Sequence, residues 1–217
     1  MGKIIVLSGF SGSGKGTLVN ELLKRRNDFE VVRSCTTRKP RFENEFYTFL
    51  SEDEFNQLEK AGGLLEFNSY NGNKYGTPVR EVERILGENK SVLLEIDVNG
   101  KKQVYASPAF GPDDRHSVFI VLDGRTLYER LKGRGTENNR EIIGRLETAL
   151  RESEHTDSYE CILFNNDLEE TVNNLEKYID GNTSCNQKKD FNVEQFRCEI
   201  KEIIKKLREE GTENGEA

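Results

Sequence analysis

The chain has 217 residues, of which 34% are hydrophobic and 33% are charged. This length is enough for one domain with a full hydrophobic core, and we do not expect a second full domain. It carries 32 basic and 39 acidic side chains, and the formal net charge of −7 argues against the diffuse positive field of a general nucleic-acid binder. No stretch approaches the roughly 18 continuous apolar residues of a membrane span, and the amino terminus runs straight into strand-like sequence, so we expect neither membrane insertion nor export.

Four apolar, β-branched runs predict strands that are buried on both faces, and each is followed by helix-patterned sequence. The runs occupy residues 4–7, 92–96, 118–122 and 161–164. The helical patterns cover about residues 14–26, 78–87, 98–106, 125–133, 137–156 and 167–179. This alternation predicts an α/β fold of three layers, in which helices cover both faces of a parallel central sheet.

Two insertions interrupt this alternation. Residues 34–81 contain short alternating pieces and turn signals, which predict a small antiparallel insertion. Within it, Ser51 and Glu54 have the S-x-x-E spacing of a capping box, so a short helix should begin there. A second insertion at residues 133–140 is rich in Gly and Arg, and we interpret it as a mobile lid between two helices.

The last part of the chain, residues 181–217, begins with a polar linker and continues with apolar residues at the spacings of an amphipathic helix. The apolar stripe consists of Val193, Phe196, Ile200, Ile203 or Ile204, and Leu207. We expect the end, from Glu209 to Ala217, to be frayed or disordered. Three arrangements of the helix stay open: it packs on the sheet domain, pairs with another subunit to form a homo-oligomer, or floats free.

The cysteines and histidines do not form a ligand pattern. Cys35, Cys161, Cys185 and Cys198 include no CxxC pair, and the chain has only two histidines. A zinc site or a disulfide framework is therefore disfavoured, and we expect reduced thiols and a cytoplasmic location.

A glycine-rich segment follows the first predicted strand and opens a helix, which is the context in which a G-x-x-x-x-G-K loop wraps a phosphate chain. Its residues are Gly9, Phe10, Ser11, Gly12, Ser13, Gly14, Lys15, Gly16 and Thr17. Backbone N–H groups and the Lys15 ammonium would hold the phosphates. Because Gly16 rather than Ser or Thr follows Lys15, Thr17 is the nearest hydroxyl for Mg²⁺, and the group that meets the metal stays open. The alternative is a turn that only joins strand to helix.

A second cluster, in the first insertion, could clamp another phosphate, because arginine forks and phenolic hydroxyls suit its oxygens. It comprises Ser34, Arg38, Arg41, Tyr47, Glu66, Tyr75 and Thr77. A solvated surface is the alternative for the arginines, and a strand-edge surface carboxylate is the alternative for Glu66.

Taken together, these motifs resemble those of a guanylate kinase, a member of the P-loop nucleoside monophosphate kinases, over about residues 3–179. Further segments that carry the resemblance are residues 94–100, 130–135, 145–146 and 165–167. The resemblance implies a kinase domain at 1–180, with a core at 1–33, 82–124 and 145–180, a GMP-binding insertion at 34–81 and a lid at 125–144. It also implies ATP-dependent phosphorylation of GMP, and of dGMP, to GDP with Mg²⁺, in purine nucleotide supply.

The resemblance also implies roles for individual residues. ATP would be bound by Gly9 to Thr17 and by Asn165, and the catalytic charge would come from Lys15, Arg130, Arg134 and Arg145. GMP would be bound by Ser34, Arg38, Arg41, Tyr47, Glu66, Tyr75, Thr77, Glu95 and Asp97. Thr17 and, through water, Asp97 would serve Mg²⁺. Glu95 and Asp97 are expected on one strand face, Glu43 and Glu45 are alternatives for the family's loop glutamate, and a local turn is the alternative for Asn165.

Within this resemblance, the chemistry of guanine explains the base-binding residues. Guanine presents two adjacent donors, N1–H and the N2 amino group, beside the acceptor O6. Glu66 would accept from the donors, while Ser34 and Thr77 would face O6. Adenine would place a lone pair against the carboxylate, and sites of this kind reject such analogues by about 10⁴-fold.

Two other functions remain as alternatives. A catalytically silent guanylate kinase-like module would bind a phosphorylated protein in the same pocket, although such modules typically lack the phosphate loop. A P-loop kinase for a sugar phosphate would have no need of Glu66, Ser34 and Thr77.

Overall fold

A computed structural model describes residues 2–43, 45–70, 72–111, 114–135, 137–182 and 190–213 of the chain. The strands are β1 (Ile4–Gly9), β2 (Phe29–Val31), β3 (Cys35–Thr36), β4 (Thr48–Phe49), β5 (Leu64–Tyr70), β6 (Asn73–Pro78), β7 (Ser91–Glu95), β8 (Arg115–Val121) and β9 (Cys161–Phe164). The helices are α1 (Lys15–Arg25), α2 (Glu52–Lys60), α3 (Val79–Gly87), α4 (Val98–Ala106), α5 (Gly124–Gly133), α6 (Asn139–Ser153), α7 (Leu168–Ile179) and α8 (Val193–Glu213).

Five strands form the central parallel sheet in the order β2-β7-β1-β8-β9, which confirms the predicted α/β fold. β2 was not among the predicted strands because it has three residues and its centre is the charged Glu30. The second sheet has the order β4-β3-β6-β5. Its β3–β6 and β5–β6 pairs are antiparallel as expected, whereas β3 and β4 pair in parallel.

The chain divides into two compact units, the first of which comprises residues 1–7 and 23–117. Its core gathers side chains from β1 and β7 together with residues of β5, α3 and α4, and it includes Ile4, Val6, Leu65, Val82, Ile85, Val92, Leu94 and Val104. Burial of these apolar side chains explains why the strands of the central sheet have continuous apolar sequence. The capping box of Ser51 and Glu54 is present at the start of α2, as predicted.

The second unit comprises residues 8–22 and 118–217. It contains β8 and β9 with α1, α5, α6, α7 and α8. Four of these helices begin at a side-chain cap that accepts a hydrogen bond from a backbone N–H in the first turn, namely Asp123 for α5, Asn138 for α6, Asp167 for α7 and Asn192 for α8. The segment that we interpreted as the lid therefore follows the C-terminal end of α5 and leads into the capped N-terminus of α6.

The C-terminal helix packs within the second unit, against α5 and α6. Phe196, Ile200, Ile204 and Leu207 are buried, so the predicted stripe is the packed face, and the free-floating arrangement is excluded. Our expectation of disorder from Glu209 was wrong for residues 209–213, because α8 continues to Glu213. Residues 214–217 lie outside the described part of the chain.

Two further predictions have outcomes in the structure. Among the described residues, no helix has the length and apolarity that are needed to cross a bilayer. Cys35 and Cys198 are free thiols, whereas Cys161 is disulfide-bonded, so the expectation of reduced thiols throughout was wrong at Cys161. Cys185 lies outside the described residues.

Candidate nucleotide-binding sites

The structure places the residues of the two predicted clusters in different units. The glycine-rich loop, Arg130, Arg134, Arg145 and Asn165 belong to the second unit, and the predicted GMP-binding residues belong to the first.

The glycine-rich loop joins the end of β1 to the start of α1. Gly9, Gly12 and Gly14 have φ angles of 155°, 97° and 87°, which L side chains rarely adopt. At Gly14 an added Cβ would also lie 2.6 Å from Asn165 Nδ2. The backbone at these positions therefore requires glycine, and the resulting bare loop at a helix N-terminus is suited to phosphate oxygens.

Lys15 extends back across this loop. Its ammonium donates to the carbonyl oxygens of Gly9, at 2.6 Å, and of Phe10, at 3.1 Å. The Phe10 carbonyl also accepts from the N–H of Ser13, at 3.0 Å. The positive charge of Lys15 is thus held at the loop by the loop's own backbone.

Asn165 and Arg130 brace the same loop. Asn165 is buried, and its side-chain amide donates to the Ser13 carbonyl at 2.7 Å. Arg130 donates to the Asn165 carbonyl at 2.7 Å and reaches the Ser13 carbonyl at 3.5 Å. These bonds give Asn165 a structural role at the loop, and its predicted contact with the ATP base stays a prediction.

Arg145 reaches the loop from α6. Its guanidinium donates to the Ser11 hydroxyl at 2.5 Å and forms an ion pair with Glu137 at 2.5 Å. Arg134 is exposed at the C-terminal end of α5. The structure therefore brings Lys15, Arg130 and Arg145 to the loop, and Arg134 is held in the segment between α5 and α6.

The first unit contains a cavity of about 290 Å³, which is close to the lower end of the range for small-molecule sites. Six of the predicted GMP-binding residues line it, namely Ser34, Tyr47, Glu66, Tyr75, Glu95 and Asp97. The remaining lining residues are Asn68, Gly76 and Ile96.

Glu66 is the buried anionic group of this cavity, with 7% of its surface exposed. Its Oε1 accepts a hydrogen bond of 2.6 Å from the hydroxyl of Thr77, which is itself fully buried. Burial raises the pKa of Glu66, the Asp97 charge raises it further, and the Thr77 hydroxyl opposes this shift. Since Thr77 uses its one proton on Glu66, it cannot at the same time donate to a ligand.

The α4 helix lies against Glu66 from behind. A Cβ added at Gly100 would lie 2.9 Å from Glu66 Oε2, so a side chain at that position would force the carboxylate or the helix to shift. One turn further along, the Gln103 side chain accepts from the Phe67 N–H at 3.1 Å and donates to the Phe67 carbonyl at 2.8 Å. Gln103 thus pairs with β5 as a neighbouring strand would, next to Glu66.

We had expected Asp97 to lie on the same strand as Glu95, and this prediction was wrong. β7 ends at Glu95, and Asp97 caps α4 by accepting from the Gly100 N–H at 2.8 Å. Its other oxygen accepts from the Asn68 amide at 2.7 Å. The period-two argument failed because the strand ended between the two carboxylates.

Arg38 is fixed by Glu45 beside the aromatic side of the cavity. The guanidinium donates to both carboxylate oxygens of Glu45, at 2.6 and 3.1 Å, and Glu45 also accepts from the Arg41 N–H at 2.9 Å. This pairing raises the pKa of Arg38 and lowers that of Glu45. Of the two glutamates that the sequence left open, Glu45 is therefore the one that holds Arg38.

The phenols lie next to this arginine. The Arg38 guanidinium carbon is 5.4 Å from the centre of the Tyr47 ring, and the Tyr47 and Tyr75 rings meet edge to face at 6.3 Å. Burial raises the pKa of Tyr47, so its hydroxyl keeps its proton and can donate to an anion. Arg41 is exposed.

Sequence analysis missed three residues of these sites. Asn68 lies two residues after Glu66 on β5, so the strand period could have placed it on the same face. Gln103 lies one turn after Gly100 on α4, but nothing in its spacing indicates a bond to strand backbone. Glu137 precedes the α6 cap, and its pairing with Arg145 depends on how the chain turns before the helix.

Comparisons with known proteins agree on one family for this chain. The family model described as "Guanylate kinase" matches residues 1–182. A guanylate kinase of Lactobacillus johnsonii is 40% identical over 187 residues, covering 83% of this chain and 89% of its own. One of Synechocystis sp. is 38% identical over 181 residues, covering 82% and 93%. The crystal structure of guanylate kinase from Anaplasma phagocytophilum superposes with a TM-score of 0.64 at 28% identity, covering 85% of this chain and 88% of that one.

Proposed function

Because the chain belongs to the guanylate kinase family, an enzyme family, we propose that it transfers the γ-phosphoryl group of ATP to GMP, giving ADP and GDP. The observation that carries the proposal is the buried Glu66 carboxylate in a cavity of nucleobase scale, next to an anchored arginine.

In this proposal Glu66 accepts from guanine N1–H and the N2 amino group. The hydroxyl of Thr77 fixes the carboxylate rather than binding O6, since it already donates to Glu66. Ser34, which lines the cavity, is then the hydroxyl that faces O6. Adenine would leave both its own N1 and the carboxylate without a donor, which would exclude AMP.

The 5′-phosphate of GMP is bound by Arg38 and Arg41 with the hydroxyls of Tyr47 and Tyr75. Glu45 holds the Arg38 guanidinium in place before the phosphate arrives, which lowers the entropy lost on binding. We extend the proposal to dGMP, because the contacts assigned above go to the base and the 5′-phosphate, which dGMP shares with GMP.

ATP is held by the loop from Gly9 to Thr17. Phosphoryl transfer needs positive charge where the equatorial oxygens carry negative charge. Lys15, Arg130 and Arg145, which contact the loop, would supply it. Arg134, in the segment between α5 and α6, would join them when that segment closes and excludes water.

Mg²⁺ fits the available donors when it is bound mainly through phosphates. Among the described residues no group of three or more acidic, histidine or cysteine side chains could cage a metal, and Mg²⁺ commonly takes one or two protein oxygens plus substrate phosphates and water. The Thr17 hydroxyl would supply a protein oxygen at the phosphate loop. The water-mediated role of Asp97 stays a prediction from the sequence; each of its oxygens keeps a second lone pair for such a contact. The bound ion would neutralise charge on the transferring phosphates.

The test is an acceptor panel with ATP and Mg²⁺: GMP, dGMP, AMP and a ribose phosphate, followed by ADP release. We expect turnover with GMP and dGMP and negligible turnover with AMP and the ribose phosphate. Absence of ADP release with every acceptor would favour the silent binding module, and turnover with the ribose phosphate would favour a sugar-phosphate kinase. A role in purine nucleotide supply, a cytoplasmic location and the absence of nucleic-acid partners stay predictions from the sequence.

A further inference from the structure

Phe10, the second residue of the glycine-rich loop, is the large apolar side chain of that loop. Its side chain is fully buried, although the residues around it form a phosphate-binding turn. The carbonyl of the same residue accepts from Lys15 Nζ and from the Ser13 N–H. One residue therefore carries both a buried ring and the carbonyl that accepts from the loop's lysine.

Two of the aromatic rings that hold Phe10 come from the C-terminal segment, residues 190–213. Phe196 stacks on Phe10 with ring centres 4.4 Å apart and an angle of 5° between planes, and Phe191 lies 6.2 Å away. Phe119 of β8 meets Phe10 edge to face at 5.1 Å. The family model matches residues 1–182, so the stacked partner of this loop residue lies outside the matched region.

The same segment also contacts the two helices that carry the cationic groups. Glu199 accepts from the Gly124 N–H at 2.9 Å, at the start of α5, which carries Arg130. Arg208 donates to Glu147 at 2.7 Å on α6, which carries Arg145. One segment therefore contacts the loop, α5 and α6 together.

We propose that residues 190–213 are a positioning segment for the ATP half of the enzyme, in which Phe196 fixes the phosphate loop by stacking on Phe10. This inference deepens the proposed function and rests on it, since it takes the loop to be the ATP site. Loss of the stack lets the Phe10 backbone shift, which displaces the Lys15 ammonium and the loop N–H groups from the phosphates. Binding of ATP weakens as a result, while the GMP site, in the other unit, keeps its affinity.

A purely structural role of α8 would give a different result. If α8 only contributed stability, substitutions at any buried residue of its stripe would have the same effect on ATP binding. Leu207 provides the matched control, because it is as well buried as Phe196 and lies on the same helix, 11 residues or about 16 Å further along.

The experiment compares Phe196→Ala and Leu207→Ala in the full-length chain. Calorimetric titrations with ATP–Mg²⁺ and, separately, with GMP give the two dissociation constants, and thermal unfolding gives stability. We expect Phe196→Ala to raise the dissociation constant for ATP by about tenfold and to leave that for GMP unchanged. Leu207→Ala should lower the unfolding temperature and leave both constants unchanged.

Equal effects of the two variants on ATP binding, or unchanged ATP binding in a folded Phe196→Ala protein, would overturn the proposal. If Phe196→Ala does not fold, Phe196→Leu keeps the burial without the ring stack and is held to the same comparison. The titrations with ATP are independent of phosphoryl transfer to GMP. Failure of the proposed function in the acceptor panel is thus distinguishable from failure of this inference.

Discussion

Replacing Glu66 by Gln changes one atom of a carboxylate that is almost fully buried. The amide retains an oxygen that can accept from the Thr77 hydroxyl, but its NH₂ group would face the N1–H donor of guanine. A buried hydrogen bond to a charged group contributes about 1.5–3 kcal/mol, and a buried donor without a partner costs about 1–3 kcal/mol. We therefore expect a loss of about 3 kcal/mol, or about 10²-fold in kcat/KM for GMP.

The expected effect on stability is in the opposite direction. Because burial raises the pKa of Glu66, the folded state disfavours its charged form, and the neutral amide removes that cost. Initial rates at varied GMP and saturating ATP give kcat/KM, and thermal unfolding gives stability. An unchanged kcat/KM for GMP would refute the base-recognition argument. So would a lower kcat/KM that is accompanied by a lower unfolding temperature.

Because of the raised pKa of Glu66, we expect GMP affinity and protein stability to depend on pH with opposite signs. Guanine binding needs the ionised form, so affinity for GMP should fall as pH decreases through the raised pKa of Glu66. The folded state holds the Glu66 proton more tightly than the unfolded state does, so this group's contribution to stability is complete below its unfolded pKa and is lost as pH rises through its folded pKa. Both dependences should disappear in Glu66→Gln, as GMP titrations and unfolding measurements across pH would reveal.

Three other variants test the remaining parts of the site. Lys15→Met should lower kcat by about 10³-fold, because positive charge at the transferring phosphates is removed, while the circular dichroism spectrum stays unchanged. Retained turnover would exclude the loop as the catalytic site. Arg38→Lys loses the paired bonds to Glu45 and should raise the KM for GMP by about tenfold, while the affinity for guanosine stays unchanged. An equal loss of affinity for guanosine would contradict a role in phosphate binding. Gln103→Leu removes both bonds to Phe67 and should weaken GMP binding by about tenfold without affecting ATP binding, whereas equal weakening of both ligands would indicate general destabilisation.

Much of the fold follows from local sequence signals. Apolar runs in the central strands and the S-x-x-E pattern at Ser51 depend on neighbouring residues only, and the structure matches them. β2 is too short for such a signal, and its three residues are held by pairing with β7. Propensity describes a segment by itself, whereas this strand is stabilised by its neighbour.

The candidate sites show the same division. The loop from Gly9 to Thr17 could be recognised from its sequence because consecutive residues build it. The choice of Glu45 over Glu43 could not, since it depends on which carboxylate reaches Arg38 across a turn. Likewise, the stack of Phe196 on Phe10 joins residues 186 positions apart, and an amphipathic stripe identifies a buried face without identifying what covers it.

The close approach of Gly100 to Glu66 has a consequence for engineering substrate choice. A methyl group added at position 100 would meet the carboxylate oxygen, so either the Glu66 side chain or α4 would have to shift to make room. Substitution at position 100 would therefore reorient the acid without replacing it. Libraries that aim at another purine gain a second handle when they vary position 100 together with position 66.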